Sequence, residues 1–377
     1  MSSADPPVLE LDNVEVHFTE TTAIQDATPQ RVREWLGWIP QPTRALDGVS
    51  LEIGEKEIIS IIGESGSGKT TLGKTAIGLQ RPTGGTVRYR GYDLWELEEE
   101  NVVDDMTFEQ ARKSLQIVHQ DPGAALHPFK TVMASLMEPL KIWYPELSRA
   151  DMRERILAMF QRCGLTPVEE YETRYPHELS GGEQQRMTLI RSMLLEPELI
   201  LMDEPVSALD QSLSIELMDL MLELQEVFNT SYLFISHSLE HARYITSQNN
   251  GKCAVMYLGN IVELGDIDEV LQEPQHPYTQ VMKWATMPMH PDRARDLLEA
   301  ETPVRSFDAP DPDNPPVGCN FHPRCPKAKD VCAEDPDPEL IDYGDRSVAC
   351  YRAEDESHRY WSDDWYHEEG EIEIPQT

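Results

Sequence analysis

Apolar and polar positions alternate through VLELDNVEVHF (Val8–Phe18), the period of two expected of a half-buried strand. The next stretch, Thr19–Arg44, loses that period; it carries a short helical pattern with Trp and Ile anchors and reads as an inserted loop. ALDGVSLEIGEKEIISIIG (Ala45–Gly63) returns to strands. From there short apolar runs alternate with helical patterns: LQIVHQ, DMRERILAMFQRCG, GGEQQRMTLIRSMLLE, ELILMDEP, IELMDLMLELQEVF and SYLFISHS. Such alternation predicts an α/β fold with a largely parallel sheet. Beyond Met287 the chain turns rich in proline and acid, a linker; a cysteine-bearing segment and a solvated acidic tail follow.

One polar interruption carries chemistry. GESGSGKT, Gly63–Thr70, sits between an apolar strand and a helical pattern, the setting that G-x-x-x-x-G-K-[ST] requires. Gly63, Gly66 and Gly68 let successive backbone N–H groups turn into one concavity suited to an anion. The helix that begins near Lys69 adds its positive end. Lys69 can neutralise outer phosphates and Thr70 can offer a hydroxyl to Mg²⁺. The plainer alternative is a glycine-rich turn with a chance lysine, which the strand before and the helix after disfavour. The loop is therefore read as a nucleoside triphosphate site made of Gly63, Glu64, Ser65, Gly66, Ser67, Gly68, Lys69, Thr70 and Thr71.

ELILMDEP is an apolar strand ending in two acids: Asp203 suits the Mg²⁺ shell, and Glu204 suits a general base toward water. His237 ends SYLFIS, within reach of a γ-phosphate in such a fold, although a lone histidine is more often structural. Gln120 closes LQIVHQ and has the chemistry to reach metal or water. In LSGGEQQR, Ser180 and Glu183 form a capping box ahead of an apolar stripe, which a simple amphipathic helix would also show. Gly181 and Gly182 expose backbone N–H groups at that helix start, a second anion-seeking surface. Two such surfaces on one chain suggest that they meet across a dimer.

Charge narrows the setting. The 377 residues hold 68 Asp+Glu against 32 Lys+Arg, a formal charge of -36. That excess opposes a nucleic-acid partner. It also predicts a protein of a high-salt cytoplasm, as in a halophilic archaeon, because at about 1 M salt the Debye length falls to ~3 Å and self-repulsion is relieved; the alternative is a mesophilic protein with an acidic tail. No apolar run reaches the ~20 residues that span a bilayer, and MSSADPPVLE lacks the blocks of a signal peptide. A soluble chain that docks on a membrane partner is the expectation.

These residues resemble, in order and spacing, the ATP-binding cassette superfamily. GESGSGKT is similar to its Walker A loop, Gln120 to its Q-loop glutamine, LSGGE to its signature, ELILMDE to its Walker B strand. SALD, ending at Asp210, is similar to its D-loop, and His237 to its switch histidine. The resemblance implies a RecA-like P-loop core with an antiparallel β subdomain and a helical signature subdomain. It implies ATP and Mg²⁺, the latter held through Thr70, Asp203 and Gln120. It also implies that Ser180, Gly181, Gly182 and Glu183 serve a partner's nucleotide, and that an aromatic near the first strand, Phe18 or else His17, stacks on adenine.

HQDPGAALHP, EPVSALDQS, SYLFISHSLEHARYI, AVMYLGNIVELG and HPYTQ are further similar to the F-type ATPase subunit of oligopeptide/dipeptide importers. His119 and Ser238 depart from the usual phenylalanine and aspartate, and neither removes a phosphate or metal ligand. The resemblance implies a D-type ATPase mate, two integral permeases and an external solute-binding protein, with this chain peripheral on the cytoplasmic face of the membrane. The domains follow: an ATP-binding domain over 8–275 with a helical subdomain at about 121–178, an importer-type extension over 276–350, and an acidic tail over 351–377.

Cys319, Cys325, Cys332 and Cys350 are spaced C-x5-C-x6-C-x17-C. Four thiolates suit Zn²⁺ or an iron–sulfur cluster, and this spacing leaves zinc, cluster and disulfides open; a reducing cytoplasm disfavours disulfides. The importer resemblance implies a small Cys-rich extension with a [4Fe-4S] cluster, zinc being the alternative. Two rival functions remain in view: an iron–sulfur-sensing ABC ATPase not coupled to transport, and a soluble ABC protein acting on DNA or ribosomes.

Overall fold

The computed structural model describes residues 6–19, 42–249, 251–285, 304–334, 336–344 and 346–351. Most of the inserted loop read at Thr19–Arg44, the first part of the proline-rich linker and the acidic tail after Tyr351 lie outside the described residues.

The alternating segment at the start forms β1 (Leu9–Phe18), paired antiparallel with β2 (Thr43–Ile53), Leu9 opposite Ile53. β3 (Ile58–Ile62) belongs to a second sheet and is buried at every position. β4 (Gly84–Tyr89) flanks β1 on its other side and leads to β5 (Tyr92–Asp93), so the first sheet runs β2-β1-β4-β5. A short ribbon joins β6 (Val102–Val103) to β7 (Met106–Thr107).

The larger sheet collects β8 (Leu115–Val118), β9 (Leu199–Asp203), β10 (Ser231–Ile235), β11 (Lys252–Tyr257), β12 (Asn260–Asp266), β13 (Ile341–Asp342) and β14 (Arg346–Val348) around β3. Its order is β13-β14-β12-β11-β3-β10-β9-β8. β8, β9, β10, β3 and β11 are parallel neighbours, with Tyr232 opposite Ile58 and Ser231 opposite Leu199. Their near-continuous apolar sequences follow from having both faces covered. Their carboxyl ends deliver Gly63, Asp203 and Ser236 to one edge, where ligands gather in open α/β sheets.

Between Gln120 and Ser180 stand helices Val132–Trp143, Arg149–Arg162 and Val168–Tyr171. Ser148 and Asp151 close a capping box on the second, a device worth about 1 kcal/mol. Leu136, Ile156 and Phe160 pack with Met187 and Ile190 of helix Gly181–Met193 in one apolar cluster. The signature helix is thereby tied to this helical region as well as to the sheet.

The C-terminal segment is continuous with the main body. β14 lies antiparallel on β12, Glu263 opposite Val348, and the chain from Pro277 onward shares a core with the sheet through Ile62, Tyr257, Tyr278, Phe321 and Val348. Inside that core Glu263 accepts the backbone N–H groups of Gln275 (2.8 Å) and His276 (2.9 Å), and burial pushes its carboxyl up to about 7. No helix among the described residues is long and apolar enough to cross a membrane.

Candidate active site

Past the end of β3 the chain passes so close to neighbouring backbone that two positions admit no side chain. Gly68 has φ +102°, and a Cβ there would lie 2.4 Å from the Ala45 carbonyl oxygen. Gly63 is equally confined, a Cβ meeting the Met256 carbonyl oxygen at 2.3 Å. Helix Lys69–Ala76 starts directly after Gly68. Lys69 Nζ donates to the carbonyl oxygens of Gly63 and Glu64, each at 2.8 Å. Its side chain is buried, which lowers its pKa, while the carboxylates of Glu204, Asp203 and Glu64 oppose that shift.

β9 ends at Asp203, which accepts from Thr70 Oγ1 at 3.3 Å. Burial raises the Asp203 carboxyl and the Thr70 hydrogen bond pulls it back. Glu204 follows with φ +49°, its N–H donating to the Ile235 carbonyl oxygen at 3.1 Å. This left-handed step, uncommon for a non-glycine residue, separates the directions of the two carboxylates. Glu204 Oε2 meets Gln120 Nε2 at 3.3 Å and His237 Nδ1 at 3.2 Å. Ser207 Oγ donates to the Glu204 carbonyl oxygen at 2.9 Å, closing the turn.

Loop, acid and amide share one cavity of about 550 Å³. Ser65, Gly66, Gly68, Lys69, Thr70 and Thr71 form its floor, and Gln120, Glu204 and His237 stand at one end. Gly63, Glu64 and Ser67 support that floor from behind: Ser67 N–H donates to the Glu64 carbonyl oxygen at 3.2 Å. Hard oxygens from Thr70 and Asp203 beside a side-chain amide suit Mg²⁺.

Phe18, expected at the adenine, is not brought into this cavity. It closes β1 opposite Thr43 and is 40% exposed, whereas the far wall is made by Thr43, Arg44, Asp47, Leu258, Pro312, Pro315 and Asn320. The serine–diglycine turn is also elsewhere. Ser180 Oγ accepts from Glu183 N–H at 3.3 Å, Ser180 N–H donates to Glu183 Oε2 at 2.7 Å, and Ser180 and Gly181 face outward. Tyr171 OH donates to Glu183 Oε1 at 2.7 Å and tethers that acid to the helical region. Asp210 caps helix Gln211–Phe228, accepting from Ser212 and Leu213 N–H at 3.1 Å.

Two contributions escaped the sequence reading. Gln185 Nε2 donates to the carbonyl oxygens of Pro205 (2.7 Å) and His119 (3.2 Å), joining the signature helix to the backbone beside Glu204 and Gln120. Its place inside LSGGEQQR was the available signal. Asn320, by contrast, gave none.

Cys319, Cys325, Cys332 and Cys350 line a second, small cavity with His276, Phe321 and Lys327. Burial pushes the Cys325 thiol up to about 12 and raises Cys319 as well, with the neighbouring sulfurs adding to both shifts. No cysteine among the described residues is in a disulfide, and none of their His, Cys, Asp and Glu side chains group closely enough to hold a metal ion.

A phosphate-type loop facing an acid pair from the adjacent strand, with a helical insert leading to an outward serine–diglycine turn, defines an ATPase of the ATP-binding cassette class. Residues 46–207 match the family model for ABC transporters, and residues 262–332 match that for the oligopeptide/dipeptide transporter C-terminal region. The chain belongs to the ATP-binding subunits of that transporter family. It is 39% identical over 331 residues to an oligopeptide transport ATP-binding protein of Salmonella typhimurium, spanning 87% of this chain and 91% of the relative. A Bacillus subtilis oligopeptide transport ATP-binding protein is 42% identical over 77% of this chain and 84% of its own length. The dipeptide transport counterpart of Escherichia coli is 40% identical over 82% and 86%. Among solved structures, a dimeric bacterial ABC transporter cassette superposes with a TM-score of 0.54 at 26% identity, covering 69% of this chain and 98% of that one. A post-hydrolysis dimer of the same cassette, bound to ADP and phosphate, gives the same figures.

Proposed function

We propose that this chain hydrolyses ATP to power the import of peptides through a pair of ABC permeases. The observation that carries the reading is the Glu204 carboxylate, fixed by Gln120 and His237 at the end of the cavity floored by Lys69 and Thr70. Lys69 Nζ, held by the Gly63 and Glu64 carbonyls, offers its remaining N–H to the outer phosphates of ATP. Thr70, Asp203 and Gln120 would hold the accompanying Mg²⁺, whose charge would offset that of the phosphates. Glu204 takes a proton from the attacking water while His237 hydrogen-bonds the γ-phosphate.

The outward Ser180–Gly182 turn supports a sandwich in which it serves a mate's nucleotide, and Asp210 would sit at that seam. The two dimeric cassette structures described above favour such an assembly. The mate is read as a D-type ATPase, and the region of about 121–178 as the face toward two integral permeases on the cytoplasmic side of the membrane. An external solute-binding protein would complete the complex, with no nucleic acid; the acid excess suits a salt-rich cytoplasm. The division into 8–275, 276–350 and 351–377 follows the same reading. In vesicles carrying the whole complex, peptide with binding protein should raise ATP hydrolysis several-fold. Peptide-independent turnover would favour the uncoupled sensor instead.

A cysteine-held [4Fe-4S] cluster in the C-terminal segment is proposed on the four thiols that line one cavity, although in this structure they do not group as a metal site. Cys319, Cys325, Cys332 and Cys350 are all soft donors, which suits iron–sulfur or zinc, and drawing them inward would seat the group. The cluster would pin this segment. Anaerobically purified protein should be brown and carry iron and sulfide in equal amounts, lost on Cys325→Ser; zinc alone would reverse the assignment.

A further inference from the structure

Residue 64 is held from outside the phosphate loop, and the hold comes from the far end of the chain. Arg324 Nη1 and Nη2 donate to the two carboxylate oxygens of Glu64 at 2.9 and 3.0 Å, a forked pair across 260 residues of sequence. The Glu64 N–H donates to Tyr278 OH at 2.7 Å. The Glu64 carbonyl oxygen accepts from Lys69 Nζ at 2.8 Å and from Ser67 N–H at 3.2 Å. Side chain, amide and carbonyl of one loop residue are therefore all fixed, two of them by the C-terminal segment.

The clamp is itself rigid. Arg324 is 7% exposed while Glu64 is 41% exposed, so the guanidinium is the desolvated member and cannot give up its partner without remaining as a buried charge. Its guanidinium lies 5.8 Å from the Tyr257 ring and 5.7 Å from the Phe321 ring. Tyr257 and Tyr278 stand 4.5 Å apart, and Phe321 meets Tyr257 edge-on at 5.3 Å. A planar guanidinium in an aromatic cage has one direction in which to donate a fork, and that direction is Glu64.

We propose that Arg324 and Tyr278 are positioning residues for the phosphate loop, setting ATP affinity by fixing Glu64 and, through its carbonyl, Lys69. This rests on the ATP reading above. A mere docking contact would hold the C-terminal segment in place and leave nucleotide affinity alone; a positioning contact alters affinity and KM with little change in kcat.

The test uses the full-length chain with its ATPase mate, a fluorescent ATP analogue for Kd, and the assembled transporter for KM and kcat. Arg324→Gln should weaken binding and raise KM roughly tenfold, the effect of losing one charge-assisted contact, with kcat kept within about twofold of the parent under saturating ATP. Glu64→Gln and Tyr278→Phe should shift Kd in the same direction, and carry the test should Arg324→Gln fail to fold. The reversed pair, Glu64→Arg with Arg324→Glu, should recover part of the loss. Folded variants that melt earlier yet bind ATP within about twofold of the parent would overturn the proposal. Lys69→Ala, run alongside, separates the two readings. Unchanged binding there removes the ATP site itself, whereas loss there with unchanged binding in Arg324→Gln and Glu64→Gln removes only the clamp.

Discussion

Glu204→Gln is expected to bind ATP as tightly as the parent and to hydrolyse it about 10²- to 10⁴-fold more slowly, the span typical of removing a general base. The amide preserves the shape of the side chain and a hydrogen-bonding oxygen for Gln120 at 3.3 Å. It also preserves the backbone bond from residue 204 to Ile235 that holds the left-handed step. What it lacks is a site for the proton of the attacking water. It also removes a negative charge that faces the triphosphate, so the ATP-bound pair of cassettes should accumulate and be visible as a larger species in gel filtration. Hydrolysis at the parent rate would remove Glu204 from its role.

Lys69→Ala should act on the earlier step. The ammonium is nearly buried and bonds only to oxygens of its own loop, so it is positioned for phosphate before any nucleotide arrives. Removing it forfeits charge-assisted hydrogen bonds worth about 1.5–3 kcal/mol each. The Kd for ATP should rise roughly 10²-fold, measured by titration with a fluorescent analogue. Because the Gly63 and Glu64 carbonyls lose their donor together, some loosening of the loop should accompany it. ATP binding that survives intact would sever the loop from the site.

Much of this architecture was legible in local patterning. The buried runs at Ile58–Ile62 and Leu199–Asp203 became parallel strands, and GESGSGKT became a turn in which Gly66 and Gly68 take the positive φ that favours glycine. These features depend on neighbours in sequence, so spacing reports them. Gln120, Glu204 and His237 come from three separate strand ends, and the family's ordered motifs were needed to join them. The Arg324–Glu64 pair was invisible because nothing local to either residue encodes a partner 260 positions away. Asn320, within the cysteine-bearing segment, and the two prolines at the cavity wall, inside a stretch that reads as linker, were hidden for the same reason. β13 and β14, two and three residues long, are too short for any period to register.

Their shortness does not make them incidental. Val348, Ser347 and Arg346 lie against Glu263, Leu264 and Gly265, at the rim where the sheet would otherwise stop. An uncovered rim offers a row of free amides and carbonyls on which a stranger's strand can assemble. A chain cut before Ile341 would therefore expose an adhesive flank, and its first symptom would be precipitation rather than a failure of chemistry.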